Sequence, residues 1–272
     1  MRSSNPVFSS LAGTRNRAVQ NQFQGYPADP YSQYPSAGPV ATERPITVDD
    51  VITKTGITLG IIVAMAVLNF GIAMVSPSLA MMLTFVGAIG GLITVLIATF
   101  GRKYGSAAIT LIYAAFEGLF VGGISLIFSG VLVGKGADAG TMIGQAVLGT
   151  VGVFLGMLYV YKTGAVKVTP RFQRIMTASI VGVLVLAVGN MLLYMFTGAN
   201  PLTNGGPLAI IFSLVCIGLA AFSFLQDFDA ADQLVRAGAP ARMAWGVALG
   251  LAVTLVWLYT EILRLLSYFR NG

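Results

Sequence analysis

Residues 244–269 read AWGVALGLAVTLVWLYTEILRLLSYF, a run broken by only one acid, Glu261, and one base, Arg264. As a helix rising 1.5 Å per residue it would be about 39 Å long, enough to cross the roughly 30 Å hydrocarbon layer of a bilayer. Working back along the chain, comparable apolar runs recur near 56–75, 79–100, 106–133, 141–161, 174–197 and 207–231, which makes seven. The separators carry turn and interface residues: Ser76-Pro77-Ser78, Gly101-Arg102-Lys103, Gly134-Lys135-Gly136, Lys162 to Arg174, Gly198 to Pro207, and Arg236 to Arg242. With 56% hydrophobic and 10% charged residues and a mean hydropathy of +0.82, the chain holds more apolar surface than a soluble core needs. The expected fold is all-α: a polytopic integral membrane protein of seven transmembrane helices, with the lipid bilayer as its first partner.

Residues 1–45 are different material. Ser, Gln, Asn, Pro, Gly and Tyr dominate, too few aliphatic side chains to offset the entropy of ordering, so a disordered tail that could take protein partners is expected. It has no continuous apolar core of a signal peptide and no cleavage site, which leaves the first span as the targeting signal. Thr47-Val48-Asp49-Asp50 fits a capping box. Ile46, Val48, Val51 and Ile52 suit a short interfacial helix over 46–55 leading into the membrane domain at 56–272, although a simple N-terminal extension of the first span explains the same residues.

Basic residues set the expected orientation, because Lys and Arg near span ends are retained on the cytoplasmic side. They fall in the tail (Arg2, Arg15, Arg17, Arg44, Lys54), the second connection (Arg102, Lys103), the fourth (Lys162, Lys167, Arg171, Arg174) and the sixth (Arg236, Arg242), whereas the third has only Lys135. The N-terminus is therefore expected inside, and seven spans carry the C-terminus outside. Arg264 and Arg270 pull mildly against that last step. Glycine pairs four apart, Gly56/Gly60, Gly118/Gly122, Gly152/Gly156 and Gly246/Gly250, would let helix backbones approach closely.

Several chemistries are excluded. The chain has no histidine and one cysteine, Cys216, so it has no Ser-His-Asp or Cys-His hydrolase, no HExxH zinc site, no histidine-ligated haem and no internal disulfide. Gly130 to Lys135, GVLVGK, is one residue short of a phosphate-binding loop and lacks its Ser/Thr. The final span has no lysine for a retinal Schiff base. An intramembrane aspartyl protease would use two aspartates on neighbouring helices, but the span after Asp227 offers Glu261 and no GxGD-like loop. The expectation is a non-enzyme without cofactor and without nucleic-acid partner.

The intramembrane acids remain as candidate site residues, since a carboxylate kept within a spanning segment is costly. Asp232 and Arg236, four apart, suit an ordinary ion pair at a helix end. Asp227 and Asp229 lie about 200° apart around a helix, so at most one can face the bundle axis. Glu261 has either a partner across the bundle or an intrahelical pair with Arg264. Glu117, in YAAFEGLFVGGIS (113–125), has no base within a turn. It needs a partner on another helix, a water-filled cavity or a proton, because burial disfavours the charged form.

FSFLQDFDAADQLV (222–235) followed by LVWLYTEILRLLSYF (255–269) resembles the signature of the Bax inhibitor-1 (transmembrane BAX inhibitor motif) family. The 113–125 segment, the span count and the Pro/Tyr/Gln tail look like its actinobacterial branch. The resemblance implies six helices around a central seventh, and a cation leak, best known for calcium, gated by protonation of a carboxylate pair. On that reading Asp227 is the sixth-helix member and Glu261 the seventh-helix member, with glutamate where aspartate is familiar, and the two would bind calcium transiently. Asp229 and Glu117 would be further members of the ion path or pH sensor.

The stretch between the two acids looks longer than in the family. A symmetric hairpin over Asp232–Arg242 would set Asp227 level with Val247, leaving Glu261 about 21 Å further along. The pair then touches only if the extra residues bulge on one side; otherwise the two acids line one path without contact. Two carboxylates within reach of each other would share a proton, and its loss would expose oxygen ligands that suit a hard divalent cation. The alternatives are a non-transporting membrane interaction or stress-regulatory protein, whose buried acids only fix helix register, and a proton-coupled carrier.

Overall fold

Pro77 makes the first turn of the bundle. It has no N–H to continue the preceding helix and its fixed φ suits a helix start, so α1 (Val48–Val75) stops and α2 (Pro77–Phe100) begins with only Ser76 between them. In this computed structural model, which describes residues 43–101, 103–130 and 139–271, five further helices follow: α3 (Ala107–Ser129), α4 (Ala139–Thr163), α5 (Pro170–Thr197), α6 (Pro207–Arg236) and α7 (Met243–Asn271). Pro170 and Pro207 likewise open α5 and α6. Gly130 and Gly198 close α3 and α5 at φ of 72° and 71°, a conformation that only glycine takes without strain. All seven helices are long and apolar enough to span a membrane, and the protein is an integral membrane protein. The expected tail up to residue 42, Arg102, and the Lys135 connection lie outside the described residues.

Helix α7 is the central one. In its most apolar stretch 72% of residues are buried, against 6% in α5. The ring around it is uneven: α1, α3, α4 and α6 pack directly on α7, while α2 packs mainly on α3 and α5 on α6. Gly118 and Gly122 bring α3 against α1 so closely that a Cβ at either would stand 2.5 Å from the carbonyl oxygen of Ile62 or Ala66. The other glycine pairs do different things. Gly56, Gly60, Gly152 and Gly156 face open space, and Gly246 receives the Tyr104 ring. Spacing marks a small face but not which way it turns. An edge-on aromatic cluster, Phe154 with Phe224 and Phe228 at ring distances of 5.3 and 5.5 Å, fixes α4 to α6.

The capping box forms as the sequence suggests: the Asp50 N–H donates to Thr47 Oγ1, and the Thr47 N–H to Asp50 Oδ2. It opens one continuous helix, so residues 48–55 are the first two turns of α1 and not a separate interfacial element. The four apolar residues there divide. Val48 and Ile52 face outward, while Ile46 and Val51 are buried against Phe224, Phe228, Ala244 and Val247. Residues 43–45, grouped with the tail by composition, are strapped across the α6–α7 connection. The Ile46 N–H donates to the Ala239 carbonyl (2.8 Å), the Ala241 N–H to the Arg44 carbonyl (2.9 Å), and Arg242 pairs with Glu43 (3.3 Å). Lys54 adds a bond from Nζ to the Ala241 carbonyl (2.5 Å) and lies over the Trp245 ring.

Candidate acidic seam along the central helix

Helix α6 buries a stripe formed by Ala209, Ser213, Cys216, Ala220, Ser223 and Phe224, and Asp227 continues it one turn beyond Ser223. Its carboxylate meets α7. Thr254 Oγ1 donates to Asp227 Oδ2 at 2.7 Å, and Gly250, one turn before Thr254, leaves room beside Oδ1. The same hydroxyl also approaches the Gly250 carbonyl at 3.3 Å. A hydroxyl has one hydrogen, so Thr254 can serve Asp227 or its own backbone but not both fully. On the connection between α2 and α3, Tyr104 closes this end of the seam. Burial pushes its phenol above its ordinary value, and the Asp227 charge adds to the shift.

Glu261 is buried on α7 and pairs with Arg264, three residues on along the same helix; their side chains are 6% and 18% exposed. Its Oε1 accepts from Arg264 Nη2, while Oε2 is buried with no hydrogen-bond partner among the described residues. Asp227 and Glu261 therefore do not share one site. The register differs from a symmetric 232–242 hairpin because α6 continues to Arg236, steadied by the Asp232–Arg236 ion pair at 2.7 Å. The turn moves toward residue 239, and Asp227 comes level with Gly250 and Thr254 instead of Val247. Thr254 and Glu261 are seven residues apart, which places them on nearly the same face of α7, about 10 Å from one another. Contact fails, and a common line along the helix holds.

The other two candidates go elsewhere. Asp229 accepts from Gln233 Nε2 on its own helix at 2.7 Å and does not join the seam. Glu117 lines a separate cavity of about 350 Å³ among α2, α3 and α7, with Tyr113, Trp257 and Thr260. The α7 residues that wall this cavity lie roughly a quarter turn from those facing Asp227. A second cavity of about 460 Å³ among α1, α3, α4 and α7 is apolar apart from Thr150 and the Ser125–Tyr259 pair, bonded at 2.8 Å.

Sequence reasoning missed Thr254, whose only signal was its heptad spacing from Glu261. It also missed Tyr104 and the 43–46 strap, which carried no signal because their partners lie more than a hundred residues away.

The family model described as Bax inhibitor 1 like matches residues 5–271. The chain belongs to that family. A search of curated proteins finds no match. In this Bax inhibitor 1 like protein the two acids that carried the resemblance lie on the α6–α7 seam, with Asp227 held by the neighbouring helix and Glu261 by its own.

Proposed function

We propose that the protein is a cation leak, with calcium as the cation that family membership favours, and that the path follows the α6–α7 seam past Asp227 and Glu261. The bond between Asp227 and Thr254 is the observation that supports it. The hydroxyl has a second acceptor in the Gly250 carbonyl, so it can release the carboxylate to a cation or a proton without being left unsatisfied. A hard divalent cation prefers such an oxygen ligand, and a proton on Asp227 removes the ligand's charge and closes the leak. Because Arg264 balances Glu261 on the same helix, the gating proton belongs to Asp227 alone and is not shared by a touching pair. The protein would lie in a bacterial plasma membrane with its N-terminus inside, as supported by Arg44, Lys54, Lys162, Arg174, Arg236 and Arg242 near one end of the bundle.

The test is calcium entry into liposomes holding a calcium dye, compared for the wild type, Asp227→Asn and Glu261→Gln from about pH 6 to 8. Entry that falls as the medium is acidified, and loses that pH response in Asp227→Asn, supports the reading. No entry above empty liposomes, with every protein folded, would return it to the interaction-protein or carrier alternative.

A further inference from the structure

The Glu117 cavity stands apart from the seam, and we propose that it is a binding site for an organic cation: an ammonium on an apolar body, held by the Glu117 carboxylate. Glu117 is the eleventh residue of the 23-residue α3, midway through the bilayer and beyond the reach of lipid headgroups. The structure makes room for its carboxyl group. Gly91 of α2 stands opposite, and a Cβ there would lie 2.8 Å from Glu117 Oε2. Around the carboxylate the walls are aromatic and aliphatic, with Tyr113 and Phe120 from α3, Trp257 from α7 and Ala88 and Val95 from α2. Leu92 of α2, which also lines the cavity, is 61% exposed on the apolar outer surface of the bundle.

Charge and lining together select the ligand. A calcium or magnesium ion takes about six or more oxygen ligands, and apart from Glu117 the cavity's side chains offer only the hydroxyls of Tyr113, which is hydrogen-bonded to Glu117 itself, and of Thr260, which donates to the Trp257 carbonyl at 2.9 Å. An ammonium needs fewer. It can pair with one carboxylate and lie against aromatic faces, which attract cations, while its apolar body fills the aliphatic part. A volume of about 350 Å³ lies within the range of small-ligand sites. The site is independent of transport and of the Asp227 seam.

A dansyl-labelled alkylamine titrated into the purified full-length protein in nanodiscs tests this, with the N-acetylated, uncharged probe as control. Saturable binding is expected, about 10-fold weaker for Glu117→Gln and for the acetylated probe, the loss of one charged hydrogen-bonded contact. Ala88→Leu, which fills the wall but keeps the carboxylate, should weaken binding as well, and it carries the test if Glu117→Gln does not fold. Equal affinity of Glu117→Gln, or of the acetylated probe, would overturn the proposal by making the cavity merely apolar. Displacement of the probe by calcium chloride but not by sodium chloride of the same ionic strength would give the carboxylate to a metal ion and overturn it too.

Discussion

Asp227 and Glu261 lie on one seam, yet they are kept there by different physics. Asp227 depends on a hydroxyl from another helix, so its surroundings exist only when α6 and α7 are docked in register. Glu261 brings its own base three residues away and carries that partner wherever α7 goes. An acid satisfied across helices reports on their packing and can be released by a small movement. One paired along its own helix is a fixed charge pair, and its cost appears when the partner is removed.

The largest effect should come from breaking the self-contained pair. Arg264→Leu leaves Glu261 buried without its cation, and about 3–5 kcal/mol of stability should be lost. Thermal unfolding in detergent reads this, and the double variant Glu261→Leu/Arg264→Leu should recover most of it. Equal losses in the single and double variants would mean that Arg264 acts through packing and not as a counter-charge.

At the Asp227 end the support is distributed, and the next effect comes from its apolar part. Ile46→Ala opens a cavity beneath the α6–α7 connection, at about 2–4 kcal/mol, and should speed amide hydrogen exchange at Ala241, whose N–H donates to the Arg44 carbonyl. Unchanged exchange there would show that the strap does not hold the connection. Thr254→Val removes one bond and should cost only about 1 kcal/mol. Its larger effect should be on the pH response of calcium entry, since Asp227 loses the group that alternates with the cation. A variant with wild-type pH response would remove Thr254 from the mechanism. Asp229→Asn, outside the seam, should change stability by less than about 0.5 kcal/mol and leave flux unaltered; a lost pH response there would move the sensor from Asp227 to Asp229.

Much of this was legible in the chain. The seven helices follow from apolar runs longer than a bilayer is thick, and their ends from proline, glycine and the Thr47–Asp50 box. Asp232–Arg236 and Glu261–Arg264 could be read as pairs because helix geometry brings residues three and four apart together. The division of Asp227 from Asp229 followed from their 200° separation. By contrast, the level of Asp227 against α7 shifted with a few residues of extra helix at the end of α6, and the faces of four glycine pairs could not be assigned from spacing. Glu117 was marked as needing a partner, a proton or a cavity, and only packing among three helices built the cavity.

The sequence by itself determined that this is a seven-helix membrane protein, that its first helix opens with a capping box, and that Asp232 and Arg236 suit one helix end, because those facts depend on composition and on contacts within a turn or two. The tertiary structure alone decided that Thr254 meets Asp227, that residues 43–46 strap the α6–α7 connection, and that Glu117 faces a cavity apart from the seam. Those contacts join segments far apart in the chain, and their register is fixed by how whole helices pack against the central α7.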